Sequence, residues 1–136
     1  MNKKDIAGDY YLGEYNCAQS VVLAFENEVE ISRDNLEKIS LGFGGGIGGL
    51  QKTCGAISGG VIVIGMLKKR NSNDLVKKLI NEFESKNKFS NCIQLIDIDF
   101  NEEKSNVSEE RLNIKKMKCY NYVRDVVEII ENLINK

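Results

Sequence analysis

The chain contains no histidine, no proline and no tryptophan. Without histidine there can be no Ser-His-Asp or Cys-His catalysis and no histidine-ligated metal or haem. Tyr, Lys, Asp, Glu and Cys remain for acid–base work. Of these, only cysteine combines redox chemistry with affinity for soft metals. An excess of positive charge is also missing: 19 Lys+Arg stand against 20 Asp+Glu. Phosphate backbones call for a clear basic surplus, so nucleic acid is not expected as the partner. Long apolar runs are absent too. The most apolar stretch, Ala56 to Leu67, is short and broken by glycine, so membrane insertion is not expected. No apolar segment follows Lys3 and Lys4, so no secretory leader is read and a cytoplasmic location is expected. In a reducing compartment, four cysteines point to metal binding or transient redox chemistry before structural disulfides.

The 136 residues suit one domain with a real core, and no linker or internal repeat divides residues 1–136. Helical spacing dominates. A first helix is expected over about Lys3 to Leu12, ended by Gly13. Asn16 is a good cap for a second, Cys17 to about Glu28. Ser32 or Asp34 starts a short third helix that ends before Gly42. Residues 42–49, GFGGGIGG, hold six glycines in eight positions, which disfavours both helix and strand. The run CGAISGGVIVIGML after it is long enough for a helix buried on most sides. Further helices are expected over about Asp74 to Lys88, as a turn opening at Cys92, and over about Lys115 to Asn135. Residues 97–113 read as a polar loop with one irregular turn. The expected fold is all-α: a compact bundle of about five to six helices, with the glycine-rich loop leading into a buried central helix.

Cys17, Cys54, Cys92 and Cys119 are the candidate site. Each sits at or near the expected start of a helix, where free N–H groups and partial positive charge favour thiolate. Four converging thiolates could hold one iron–sulfur cluster or one tetrahedral zinc. Two observations favour plainer readings. Free cysteine often packs as a small buried hydrophobe. Successive cysteines are also 37, 38 and 27 positions apart, with no close C-x-x-C pair. Only the fold could bring them together.

Gly44, Gly46 and Gly49 match G-x-G-x-x-G literally, but the flanking strand and the later acidic residue of a dinucleotide site are missing. A better reading joins the glycines to Cys54. Gly44, Gly45 and Gly46, with Gly55 and Gly59, could let the backbone approach a bulky cofactor. The plainer alternative is a tight turn with small-residue packing. The tyrosines near the N-terminus read as helix-face packing residues.

The ordered pieces YNCAQSVVLAF, GFGGGIGG, CGAISGG, SNC and KCYNYV together resemble the C-GCAxxG-C-C family of putative redox-active proteins, from about Leu12 to Val127. Cys17 matches the first cysteine of that pattern. Cys54, Gly55, Ala56 and Gly59 match its core, and Cys92 and Cys119 match the last two cysteines. The resemblance implies a redox role and a mostly helical fold, without naming a reaction. Three functions follow as expectations. The leading one is an electron-transfer protein whose cysteines ligate an iron–sulfur cluster, two-iron in type, working with a redox partner protein. The second is metal-free thiol–disulfide exchange with Cys54 as the attacking thiol. The third is a structural zinc or partner-binding module. Whether the chain is an enzyme stays open, and so does homo-oligomerisation.

Overall fold

The computed structural model describes residues 1–135, apart from the Lys69 side chain. The described residues are all-α, with eight α-helices and a single isolated β-bridge. The helices are α1 (Lys3–Leu12), α2 (Cys17–Leu23), α3 (Arg33–Leu41), α4 (Gly55–Leu67), α5 (Ser72–Asn87), α6 (Cys92–Ile96), α7 (Phe100–Glu103) and α8 (Glu109–Ile134). The count exceeds the expected five to six because α6 and α7, each a turn or so long, are helices in their own right.

Local chemistry explains most boundaries. Asn16 and Gln19 form a reciprocal capping box at the start of α2, satisfying two otherwise free backbone donors. Ser32 caps α3 and Ser108 caps α8 through their side-chain oxygens. Gly13 accepts the end of α1, its N–H bonding back to Asp9 and Tyr10. The expected second helix stops early: α2 ends at Leu23, and residues 26–28 form a 3-10 turn instead.

The core is organised around α4, which packs against α2, α5 and α8. Ile57, Val63 and Ile64 of α4 are fully buried beside Val21, Leu79, Phe83, Val126 and Ile130. Its glycines make this possible. A methyl at Gly59 would stand 2.7 Å from the Ala18 carbonyl oxygen of α2. At Gly60 it would meet side-chain tips of Leu79, Val126 and Ile130. Close approach of α2 and α4 sets Cys17 beside the start of α4. Ion pairs tie α1 to α8, with Lys4 on Glu128 at 2.6 Å and Arg124 on Asp5 at 2.5 Å.

The glycine segment folds on itself. The N–H groups of Gly48, Gly49, Gln51 and Lys52 donate to the carbonyls of Gly42, Gly44, Gly45 and Gly46. Gly45 and Gly46 have φ of +65° and +78°, a region that favours residues without a Cβ. Gln51 is buried at the exit of the loop. Its side-chain amide donates to the Ile98 carbonyl at 2.5 Å, and its side-chain oxygen accepts from the Phe100 N–H at 3.0 Å. One side chain thus pins residues 98–100 to the glycine loop.

Candidate functional site

Four separate elements deliver the four cysteines to one cavity of about 410 Å³. Cys17 is the first residue of α2, placed by the Asn16 cap. Gly44 makes room for that cap, since a methyl there would overlap the Asn16 side chain. Cys54 is the N-cap residue of α4, and the N–H groups of Ala56 and Ile57 face its sulfur. Cys92 opens α6. A short antiparallel bridge holds Cys54 and Cys92 in register. Thr53 pairs with Asn91, the Cys54 N–H donates to the Ser90 carbonyl at 2.8 Å, and the Cys92 N–H donates to Lys52 at 2.6 Å.

Cys119 departs from expectation. It lies well inside α8, which begins at Glu109 and not near Lys115. The apolar stripe of α8 gives no sign of this start, because none of residues 109–122 is buried. Cys119 therefore owes nothing to a helix N-terminus. It reaches the cavity because Leu112, Lys115, Lys116, Cys119 and Tyr122 share one face of α8.

All four thiols are free. Cys54 is 7% exposed and Cys92 is 9% exposed. Burial pushes the Cys54 thiol strongly up, and the neighbouring Cys17 adds to this against the opposing N–H groups. Burial also pushes Cys92 up, to about 11, with Cys119 and Cys17 adding and Lys115 opposing. Cys119 is raised by burial and lowered by Lys115. The expectation that a helix start favours thiolate is therefore corrected at Cys54, where desolvation outweighs the backbone donors, and at Cys92, which burial also raises.

The aromatic wall comprises Tyr11, Tyr15 and Tyr122. The Tyr11 hydroxyl lies near the Cys119 sulfur, and burial raises its pKa strongly, with Cys119 adding. Tyr122 donates to the Leu95 carbonyl at 3.0 Å, fixing α6 against α8. Tyr15 donates to Glu37 of α3 and stacks edge-on against Tyr10. Tyr11 and Tyr15, expected as packing residues, stand in the cavity wall, and Tyr122, Lys115 and Lys116 join them there without a motif to mark them. The i, i+4 spacing of Lys115 and Cys119 was the one available signal for the lysines.

Of the glycines proposed for a cofactor, Gly45 and Gly55 line the cavity. Gly44 faces Asn16, Gly46 faces the backbone of Gln51 and Lys52, and Gly59 faces Ala18. The loop's N–H groups are largely spent on its own carbonyls.

The donor set is entirely sulfur, as soft-metal chemistry wants. Among the described residues, no three cysteine or acidic side chains are grouped so as to hold one metal ion. A tetrahedral zinc needs four ligands about 2.3 Å from a single point. A two-iron cluster shares four thiolates between two metals, so its ligands stand further apart. Four thiolates are the donor set that either group uses.

Fold and site together define a small helical protein with four cysteines gathered around one cavity. The chain belongs to the family described as "Putative redox-active protein (C_GCAxxG_C_C)", which matches residues 15–133. No curated protein and no solved structure matches it. Among the described residues no helix is long and apolar enough to cross a membrane.

Proposed function

We propose that the cavity is the centre of an electron-transfer protein, with Cys17, Cys54, Cys92 and Cys119 as thiolate ligands of a two-iron iron–sulfur cluster. One observation carries this reading. Four thiols that are 27 or more positions apart, on four elements, line a single cavity that has no carboxylate in its wall. Ordinary core packing would scatter them.

When bound, such a cluster accepts and releases single electrons. The chain's residues supply the rest. Gly55, having no Cβ, lets the Cys17 sulfur seat against the first turn of α4. Lys115 favours the ionised form of Cys92 and Cys119, offsetting negative charge gathered among the sulfurs. Tyr15, Tyr122 and Leu95 shield the centre from water. Potential and stability of such centres depend on hydrogen bonds to sulfur and on solvent access.

The test is anaerobic purification and reconstitution, with iron and sulfide assays and a visible spectrum. Two irons and two sulfides per chain, with each Cys→Ser variant losing them, is the expected result. A colourless, iron-free protein after reconstitution would overturn the cluster reading.

A metal-free dithiol has one observation in its favour, the contact of the Cys17 sulfur with Gly55, the residue next to Cys54. Thiol counting before and after treatment with diamide reads it directly. Loss of two thiols, mapped to Cys17 and Cys54, would select that reading. The burial of Cys54 weighs against its acting as the attacking thiolate.

A further inference from the structure

The cavity is larger and more selective in lining than four sulfurs require. Its volume of about 410 Å³ lies in the range of small-molecule sites. Such sites are mostly apolar with a few convergent polar groups. Here Leu95, Ile96, Leu112 and the tyrosines provide the apolar surface, and Lys115 and Lys116 provide the charge.

Charge in this wall is one-sided. The chain has 20 Asp and Glu, and none of them lines the cavity. Elsewhere among the described residues some lysines, such as Lys4 and Lys86, hold a carboxylate and others, such as Lys77 and Lys78, do not. Lys115 and Lys116 have no hydrogen-bond or ion-pair partner among the described residues. Depth is graded as well. Cys54 and Cys92 are buried, whereas Leu112 and Lys116 are exposed at the rim and Lys115 is half-buried between them. Two unpaired cations therefore stand at the opening of an apolar chamber that ends on thiols.

We propose that the outer part of this cavity binds a small organic anion, with a carboxylate or similar group held by Lys115 and Lys116. Its apolar body lies along Leu112, Ile96 and Tyr122, and its inner end faces the cysteines. The inference rests on the redox reading for one point, that a molecule seated here is the centre's small-molecule redox substrate. Binding itself needs only the cavity and the two lysines. An apolar chamber repays burial of the body, and the half-buried Lys115 beside the exposed Lys116 selects the charge.

The test uses the full chain, reduced and metal-free, with 2-naphthoate as probe and neutral 2-naphthamide as its uncharged counterpart. Titration calorimetry reads affinity. Peptide-resolved iodoacetamide labelling reads access to the cysteines. The expected result is saturable 2-naphthoate binding, at least tenfold tighter than 2-naphthamide, with alkylation of Cys17 and Cys119 slowed severalfold. The double variant Lys115→Gln, Lys116→Gln should lose about tenfold in 2-naphthoate affinity, keep its 2-naphthamide affinity and retain the wild-type circular dichroism spectrum. Equal affinity for both probes, an unaffected double variant, or no protection of the cysteines would overturn the proposal. Iron uptake is measured separately. A chain that binds 2-naphthoate but takes up no iron removes only the cluster, and one that takes up iron but ignores 2-naphthoate removes only this site.

Discussion

The Cys17 sulfur rests against Gly55 so closely that a single methyl group on Gly55 would overlap it. The same methyl would also come within 2.9 Å of the Phe43 carbonyl oxygen. One glycine thus seats a sulfur from α2 at the first turn of α4, beside Cys54, while the chain from the glycine loop passes behind it. Helix propensity alone would favour alanine here. The position is spent on the site instead.

Gly55→Ala should therefore damage the site more than the fold. Overpacking of this kind costs about 1–3 kcal/mol. The Cys17 side chain is half-exposed and can swing away, whereas the Phe43 carbonyl is backbone and cannot, so a real cost to the fold remains. Moving that sulfur, however, removes it from the group. The expected outcome is a modest drop in melting temperature with a much larger drop in iron bound after reconstitution. Normal iron content in a stably folded variant would show that Cys17 is not a ligand.

Two further glycines on α4 make a matched pair. Gly59→Ala pushes a methyl against the Ala18 backbone, 2.7 Å from its carbonyl oxygen, and backbone cannot step aside. Gly60→Ala meets the methyl tips of Leu79, Val126 and Ile130 at 2.9–3.1 Å, and those can rotate. Both substitutions gain about 1 kcal/mol of helix propensity. Gly59→Ala should still be clearly destabilising, by about 1–3 kcal/mol, and Gly60→Ala should be nearer neutral. Urea unfolding of both variants checks the ordering.

How far the site was legible follows from the same residues. Local signals placed the bounds of α1, the start of α2 and the start of α3 well, because Gly13, Asn16 and Ser32 act within a turn of the helices they end or cap, and the length of the apolar run marked α4. The N-terminal half of α8 was invisible to periodicity. Its residues line a cavity on one side and face solvent on the other, so no buried stripe exists to read. Only the Ser108 cap, followed by Glu109 and Glu110 in the first turn, marks the true start. Convergence of the cysteines was likewise unreadable from spacing. It depends on the bridge between Thr53 and Asn91 and on the Gln51 side chain reaching Ile98 and Phe100, contacts made across 38 to 49 positions.

Acid should weaken the tie between α1 and α8 in a defined way. The hydrogen bond and charge of Lys4 hold Glu128 below the usual carboxylate range. A depressed folded-state pKa contributes stability that is fully present above the unfolded value, about 4.3 for Glu. That contribution disappears as pH falls through the folded value. Glu128→Gln should therefore lower the urea midpoint slightly at pH 7, as expected for a half-exposed pair. At pH 2 variant and wild type should coincide. An equal gap at both pH values would place the effect in packing and not in the charge.

The Tyr11 hydroxyl offers a finer probe of the proposed centre, because it lies near the Cys119 sulfur without being one of the proposed ligands. Tyr11→Phe keeps the ring in the wall and deletes the hydroxyl near Cys119. Hydrogen bonds to ligand sulfurs draw off electron density and raise the potential of iron–sulfur centres. The variant should therefore bind iron at wild-type stoichiometry yet show a more negative midpoint potential in a spectroelectrochemical titration. A merely structural tyrosine would change thermal stability and leave the potential where it was. An unchanged potential in a fully loaded variant would place the hydroxyl's role in packing, and a loss of iron would make Tyr11 a support for Cys119.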